Sequence, residues 1–386
     1  MATSFSATCR FFLGFFSFCF PLPLSGYQAC YLEVMIFTAA LSLLLSFTVT
    51  FLLTPVTISF FTAHNWLEDP RQKQKKSGNA TATGIVPRGG GFPIFFGIFL
   101  PCLLLLPADK HFLGIFLAAL VSLIVGLIDD IFDLSPVLRL TTNFLSALIV
   151  VAAGIGIAYI SNPLGGIFDL SHPSITFNLF GSIHSIWILS DLLALVWITW
   201  CMNIVGWSSG VDGQLPGFVA ISAVFIGLLG LRFSTDTTQW PVIILSLAVA
   251  GAYLGFLPWN FFPQKIMPGY SGKSLAGFFL ALLSLLSGAK LATLIFLLGI
   301  PMLDAVFVLI KRFINGRSPF SPGSDHLHHF LLKSGWSRSK IALTYWLLSL
   351  FLGFISLFLN SQQKFYFFIG ITFLFFGFIL KVWRRI

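Results

Sequence analysis

The chain has 386 residues, of which 57% are hydrophobic and only 9% are charged, and its formal net charge is +9. A soluble domain carries about 25% charged residues, so this composition excludes a soluble globular protein and indicates a polytopic membrane protein. A basic surplus also fits nucleic-acid binding. Here, however, the bases cluster between apolar runs, which indicates membrane topology and predicts no nucleic-acid partner.

Apolar runs that can cross about 30 Å of hydrocarbon recur along the chain. The predicted spans are 33–61, 92–107, 112–130, 140–160, 183–204, 217–231, 240–258, 274–288, 290–310, 341–360 and 364–381. We therefore predict an all-α polytopic membrane fold of about 11 transmembrane helices. Residues 33–386 form a single multi-span domain in this interpretation, and residues 1–32 are an N-terminal segment without an assigned role.

The distribution of bases predicts the orientation. If residues 62–91 are cytoplasmic, most of the 22 Lys and Arg residues fall on cytoplasmic segments, as the positive-inside rule requires. Four polar segments then share that side, namely "GLIDDIFDLSP", "NIVGWSSGVDG", "PGYSGKS" and "SDHLHH". A site formed by these loops would face the cytosol and the inner leaflet together.

Three carboxylates, Asp129, Asp130 and Asp133, end the third predicted span. Like charges at this spacing on a helix repel one another, and a helix C-terminus disfavours carboxylates. A bound cation would offset both costs. Mg²⁺, with Mn²⁺ as the alternative, is the predicted ion because carboxylates and phosphate oxygens are its usual ligands. The competing interpretation is a solvated helix end followed by an N-cap aspartate.

Basic and glycine-rich segments predict phosphate contacts. Arg88 in "PRGGGFP" follows a basic stretch that contains Lys75, and its glycines can bring backbone N–H groups close to an anion. The alternative is a flexible loop whose bases touch anionic lipid. Lys265 precedes the serine-rich start of the eighth span, where a helix N-terminus favours phosphate.

Two further loops carry candidate polar groups. Asn203 and Asp212 lie on a glycine-rich loop that, by itself, is equally a turn with an aspartate. The late segment "INGRSPFSPGSDHLHHFLLK" contains Arg317 and three histidines, His326, His328 and His329. A metal site needs further ligands such as Cys, and none lies nearby, so a phosphate-facing loop is the preferred interpretation.

These segments together resemble the polyprenyl-phosphate N-acetylhexosamine-1-phosphate transferase family, in its N-acetylglucosamine branch. The resemblance runs from about Asn65 to the C-terminus and rests on "LEDPRQKQKK…VPRGGGFPIF", "GLIDDIFDLSPVLRL" and "GRSPF…DHLHHFLL". It implies transfer of an N-acetylhexosamine 1-phosphate from a UDP-sugar to polyprenyl phosphate, with release of UMP. It further implies an early step of cell-envelope polysaccharide synthesis, a bacterial or archaeal-type cell membrane, a cytoplasmic active site and a homodimer.

The resemblance and the motifs assign roles to individual residues. Asp129, Asp130 and Asp212 are the expected catalytic residues and also the expected magnesium ligands. The expected substrate-binding residues are Asn203, Lys265, Arg317, His326, His328, His329, Lys75 and Arg88.

Three positions depart from the family pattern. The chain has Gly206 where a second Asn is usual, Ser209 where an Asp is usual, and Tyr270 where the family has an aspartate that binds magnesium. These departures leave open a relative that binds lipid phosphate or nucleotide sugar without catalysis. A transporter is the third interpretation, because Asp191 and Asp304 lie within predicted spans.

Overall fold

The computed structural model describes residues 26–77, 84–162, 165–179, 182–287, 290–318, 323 and 325–383. Most of the predicted N-terminal segment, residues 1–25, therefore lies outside the described residues. The described helices are α1 (Gly26–Ala63), α2 (Pro70–Ser77), α3 (Gly91–Leu105), α4 (Lys110–Phe132), α5 (Pro136–Ala152), α6 (Ile188–Trp207), α7 (Gln214–Gly230), α8 (Gln239–Asn260), α9 (Gly269–Leu286), α10 (Lys290–Leu297), α11 (Gly299–Ile314), α12 (Leu327–Lys333), α13 (Arg338–Ser356) and α14 (Ser361–Trp383).

Six short strands form three antiparallel hairpins in the described chain. They are β1 (Leu67–Glu68) with β2 (Val86–Pro87), β3 (Tyr159–Ser161) with β4 (Ile167–Asp169), and β5 (Ser174–Leu179) with β6 (Ser182–Trp187). The β1–β2 pair ties α2 to the start of α3, while the other two hairpins connect α5 to α6.

The predicted all-α membrane fold is confirmed, and the protein is a multi-pass membrane protein. Eight helices in the described residues are long and apolar enough to span a bilayer, or nine if the pair α10–α11, bent by 80°, counts as one span. The remaining two predicted spans correspond to the shorter apolar helices α3 and α5. The predicted number of eleven is therefore not confirmed. Helix α5 ends at Ala152, earlier than expected, because Gly154 has a φ of +90° and redirects the chain.

Helix α8 lies at the centre of the bundle between α1, α7 and α3. Gly251 and Gly255, four residues apart on α8, face the backbone carbonyls of Leu43 and Phe47 on α1 so closely that a Cβ at either glycine would overlap them. Small residues at this spacing allow membrane helices to pack backbone to backbone. The buried core continues from here through α9, which packs against α4 and α6.

A second, smaller apolar cluster lies beside this core. Leu303 on α11, Leu327 and Leu331 on α12, Ile341 on α13 and Phe375 on α14 are all buried in it. The loop that contains the histidines is therefore anchored on a packing unit of its own.

Candidate active site

The turn between α4 and α5 is fixed by local sequence. Asp133 adopts the left-handed conformation, with a φ of 58°, and its N–H donates to the carbonyl of Asp129, which ends α4. Two residues later, the Ser135 hydroxyl accepts a hydrogen bond from the N–H of Leu138, and Pro136 occupies the first turn of α5. Both features favour a helix start. The turn holds the acids at one end of the bundle.

Arg88 is the cation at the centre of these acids. Its guanidinium lies 3.4 Å from Glu68, 3.6 Å from both Asp129 and Asp130, and 3.2 Å from Asp133. Burial opposes its charge, but the four carboxylates, Asp130 foremost, hold the pKa of Arg88 above its ordinary value. We call these five residues the acid network.

Two further cations contact the acid network. The Nε of Arg139 donates to Asp129 at 2.5 Å, and the guanidinium reaches Asp133 at 3.3 Å. The ammonium of Lys73 lies 3.0 Å from Asp133. Burial alone would raise the pKa of Asp133, but the hydrogen bonds and charges of Lys73 and Arg88 hold it well below its ordinary value.

Asp130 caps the N-terminus of α9. Its carboxylate accepts the backbone N–H of Tyr270 at 2.5 Å and both the N–H and the hydroxyl of Ser271, at 3.3 and 2.5 Å. A negative charge is favourable there because the first N–H groups of a helix lack partners. Gly269 permits this contact, since its φ is +67° and a Cβ would overlap the carboxylate of Asp130.

Tyr270 connects α9 to α5. Its hydroxyl donates to the side-chain oxygen of Asn143 at 2.9 Å or to the carbonyl of Arg139 at 3.1 Å, and the Arg139 guanidinium lies 5.2 Å from the centre of the ring. Ser274 also donates to Asn143, at 3.2 Å. Tyr270 therefore positions Arg139, which in turn holds Asp129.

The three histidines lie close together at the start of α12. The Nδ1 of His326 lies 3.0 Å from Asp304, whose other oxygen accepts the N–H of Leu327. His326 and His328 have nearly parallel rings 5.9 Å apart, and His329 lies 4.2 Å from His328. We call these residues the histidine cluster.

Burial disfavours the charged form of two of these histidines. It lowers the pKa of His328 well below the ordinary value and, with the charges of His326 and Lys333, lowers the pKa of His329 to about 4. The Nδ1 of His328 is buried and has no hydrogen-bond partner within the described chain. A Cβ at Gly210 would overlap this imidazole, so the glycine loop after α6 touches the cluster.

Replacement of His329 by Gln should reduce the acid sensitivity of the fold. Unfolded histidine titrates near pH 6.5, so between pH 6.5 and about 4 the unfolded state binds a proton that folded His329 does not. Stability then falls as the pH is lowered through this window. Because Gln does not titrate, the drop in melting temperature from pH 7 to pH 4.5 should be smaller by a few degrees in His329→Gln. The exposed His111→Gln is the control, and an equal drop in all three proteins would contradict the assignment.

Glu68 and Arg88 of the acid network line one cavity of about 360 Å³ together with the histidine cluster. Its polar lining consists of Glu68, Lys73, Arg88, Arg139, Asn203, Ser209, Tyr270, Lys273, Arg312, His326, His328 and His329. These residues come from five separate segments that the distribution of bases placed on one side of the membrane. Their convergence at one end of the bundle agrees with that interpretation.

The structure brings some of the expected site residues together and leaves others outside. Arg88, Asn203 and the histidine cluster line the cavity, and Asp129 and Asp130 lie directly behind Arg88. Asp212 is outside the lining and pairs with Arg338 at 3.4 Å. The remaining expected contacts are exposed side chains outside the lining, namely Lys75, Lys265 and Arg317.

Four basic lining residues were absent from the sequence-based assignment: Lys73, Arg139, Lys273 and Arg312. A signal existed for Lys273, because it lies within the serine-rich helix start that predicted phosphate binding. No local pattern distinguishes Arg139 from an ordinary base that follows a membrane span.

The carboxylates do not form a magnesium ligand set in this arrangement. Both oxygens of Asp130 are occupied by α9, and one oxygen of Asp129 accepts from Arg139 and Leu134. Asp212 is paired elsewhere, and no group of three or more His, Cys, Asp or Glu side chains suited to a metal occurs among the described residues. The magnesium site thus stays a prediction that these contacts do not support.

Comparison with known proteins bears on the family. Residues 112–288, which include the acids of α4, the glycine loop and Lys273, match the model of glycosyl transferase family 4. A Thermotoga maritima protein named undecaprenyl-phosphate alpha-N-acetylglucosaminyl 1-phosphate transferase is 29% identical over 83% of this chain and 89% of its own. The match over residues 112–288 and this relative both support the predicted family, glycosyl transferase family 4.

Further relatives span both branches of this family. A Bacillus subtilis protein, named probable undecaprenyl-phosphate N-acetylglucosaminyl 1-phosphate transferase, is 28% identical over 72% of this chain and 74% of its own. A phospho-N-acetylmuramoyl-pentapeptide-transferase from Halalkalibacterium halodurans is 28% identical over 83% and 97%. The similarity to these relatives thus extends beyond the motifs to most of the chain.

Proposed function

We propose that the protein transfers N-acetylglucosamine 1-phosphate, or a closely related N-acetylhexosamine 1-phosphate, from a UDP-sugar to polyprenyl phosphate. The observation that carries this proposal is the cavity, in which Arg88, Arg139 and Lys273 face the histidine cluster. This cationic lining suits a diphosphate, and the names of the relatives point to a polyprenyl-phosphate acceptor. The protein would act at an early membrane step of cell-envelope polysaccharide synthesis.

The proposed orientation places the cavity at the cytoplasmic face. The basic segments that line it, such as the one with Lys73 and Arg88, favour the inside of the membrane. A soluble UDP-sugar then enters from the cytosol, and the phosphate of the lipid reaches the same cavity from the inner leaflet. A homodimer in the cell membrane remains part of the proposal.

The proposed reaction is a phosphoryl transfer. An oxygen of the lipid phosphate attacks the β-phosphorus of the UDP-sugar, the bond from that phosphorus to the bridging oxygen breaks, and UMP leaves with the bond electrons. Such a transfer needs positioning and charge neutralisation more than covalent protein chemistry. Because the lipid phosphate is mostly ionised near pH 7, Asp129 need not act as a base.

The chain's own residues supply the positioning. The guanidinium of Arg139 pairs with Asp129 and Asp133 and lies over the ring of Tyr270. Arg88 is fixed by four carboxylates. Elsewhere in the lining, Asp304 orients His326, so that its imidazole can donate a hydrogen bond to a phosphate oxygen.

Release of UMP tests this function. Purified protein in detergent should release UMP from UDP-N-acetylglucosamine only when undecaprenyl phosphate is present, and a polyprenyl-diphosphate-linked sugar should form in equal amount. Other UDP-N-acetylhexosamines, offered one at a time, identify the preferred donor. Omission of the acceptor is the control. Binding of a UDP-sugar without UMP release by folded protein would instead support the non-catalytic relative.

The transporter interpretation has little structural support. Its usual signature is a pair of matching interrupted helices in two halves of the chain. Only one bent helix pair, α10–α11, occurs in the part of the chain that the structure describes. Asp304 on α11 pairs with His326 at the cavity and does not line a path through the bundle.

A further inference from the structure

Lys273 is one of the residues that line the cavity. It lies one turn after Tyr270 on α9, and both side chains line the same space. Glu68 and Asp130 of the acid network attract its ammonium, while Arg88 and Lys73 repel it. Its charge also acts on His328 of the histidine cluster. Lys273 therefore lines the same cavity as both groups and interacts electrostatically with residues of each.

The neighbouring cations are already engaged. Arg88 faces four carboxylates, Arg139 contacts two, and Lys73 pairs with Asp133. In contrast, the Lys273 ammonium makes no hydrogen bond or ion pair with any other residue of the described ranges. Lys273 is partly buried, and a partly buried ammonium without a protein partner is unfavourable. Lys273 is thus the cation of this cavity that is available to a ligand.

A second polar group in the cavity also lacks a partner. His328 is 2% exposed, and its Nδ1 has no hydrogen bond within the described residues. Buried polar atoms are normally paired, so this atom and the ammonium of Lys273 both indicate a polar ligand. A lysine is a common point-charge binder of phosphate. An anion with several oxygens would satisfy both groups at once.

The other polar groups near the start of α9 are already hydrogen-bonded within the protein, so Lys273 is the group there that can bind an anion. Asp130 is occupied by the first N–H groups of α9, and the hydroxyl of Tyr270 is directed to Asn143 and the carbonyl of Arg139. Neither group is placed to hold a divalent cation against a phosphate. The positive charge in this part of the cavity comes from Lys273 and not from a bound divalent cation.

We propose that Lys273 binds the diphosphate of the nucleotide sugar directly, and that this binding does not require a divalent cation. The proposal rests on the proposed function for the nature of the ligand. It names Lys273 as a substrate-binding residue of the transfer, whose ammonium neutralises charge on the diphosphate as UMP departs.

The experiment measures binding of UDP to detergent-purified protein in excess EDTA, by titration calorimetry. Wild-type protein should bind UDP, and Lys273→Met should bind it at least about tenfold more weakly, as loss of a charged hydrogen bond to phosphate predicts. Lys273→Arg keeps the charge and should stay within a few-fold of wild type. Lys340→Met is the matched control, because Lys340 lies in the first turn of α13, exposed and over the Trp336 ring. Melting temperatures establish that each variant is folded.

Two outcomes would overturn the proposal: wild-type protein that binds UDP only with Mg²⁺, or equal affinity of folded Lys273→Met and wild type. If Lys273→Met does not fold, Lys273→Gln replaces it in the same comparison. The two proposals fail separately. Transfer by wild-type protein with no effect of Lys273 on UDP binding would sink only this inference. Lysine-dependent UDP binding without UMP release would sink only the proposed function.

Discussion

Asp129→Asn is expected to lower the rate of UMP release by about 10²–10³-fold, the size of effect seen when one preorganised electrostatic contact is lost. Asp129 is fully buried and accepts from both Arg139 and the N–H of Leu134. Asn keeps the shape and one oxygen but loses the charge that holds Arg139. The guanidinium is then no longer fixed at the wall of the cavity, and the transition state loses its positioned cation.

The fold should survive this change. Loss of a hydrogen bond to a charged group costs about 2 kcal/mol, so the variant should elute as a single species with a moderately lower melting temperature. Asp109→Asn is the matched control, since Asp109 only caps α4 at its other end and is largely exposed. Full activity of Asp129→Asn would exclude a role of Asp129 in the transfer.

Arg88→Met should have the largest effect on stability. Removal of one partner from a buried charge network costs about 3–5 kcal/mol, and Arg88 faces Glu68 and three aspartates. We expect a sharp drop in melting temperature, together with loss of UDP binding. The exposed Arg71→Met on α2, which removes the same charge outside the network, should change neither quantity.

The loss of stability in Arg88→Met should also depend on pH. In wild-type protein, Lys73 and Arg88 hold the pKa of Asp133 well below its ordinary value, so this pair contributes stability above pH 4 that is lost only in stronger acid. Without Arg88, the crowded carboxylates repel one another when ionised and favour proton uptake. Arg88→Met should therefore be closest to wild type near pH 5 and furthest from it near pH 8. A difference that is constant between these values would contradict this account.

Much of the fold follows from the sequence, because apolar runs in lipid must satisfy their backbone groups within helices. The sequence did not reveal where helices bend. The span predicted over 290–310 is broken between α10 and α11, and residues 182–187 of the fifth predicted span form strand β6 instead. An apolar run has the same hydropathy whether it forms one straight helix or is bent or partly extended. Only tertiary packing distinguishes these conformations.

The candidate site was predictable in its location but not in its internal pairing. The acids, the glycine loop and the histidines were expected on one side, and they meet at one cavity. Asp130 was expected to be catalytic and to bind magnesium, whereas its oxygens cap α9. That contact joins residues 140 positions apart. The local sequence around a carboxylate does not show whether it caps a distant helix terminus or binds a ligand.

The two walls of the cavity belong to different apolar clusters. The acid network stands on the main core of α4 and α9, whereas the histidine cluster is carried by the smaller cluster of Leu303, Leu327 and Leu331. The width of the cavity consequently depends on how these two apolar clusters pack against each other. A change of side-chain volume in the smaller cluster should therefore change the width of the cavity without altering the acid network. Under the proposed function, sugar preference can then vary without any change in Arg88, Arg139 or Lys273.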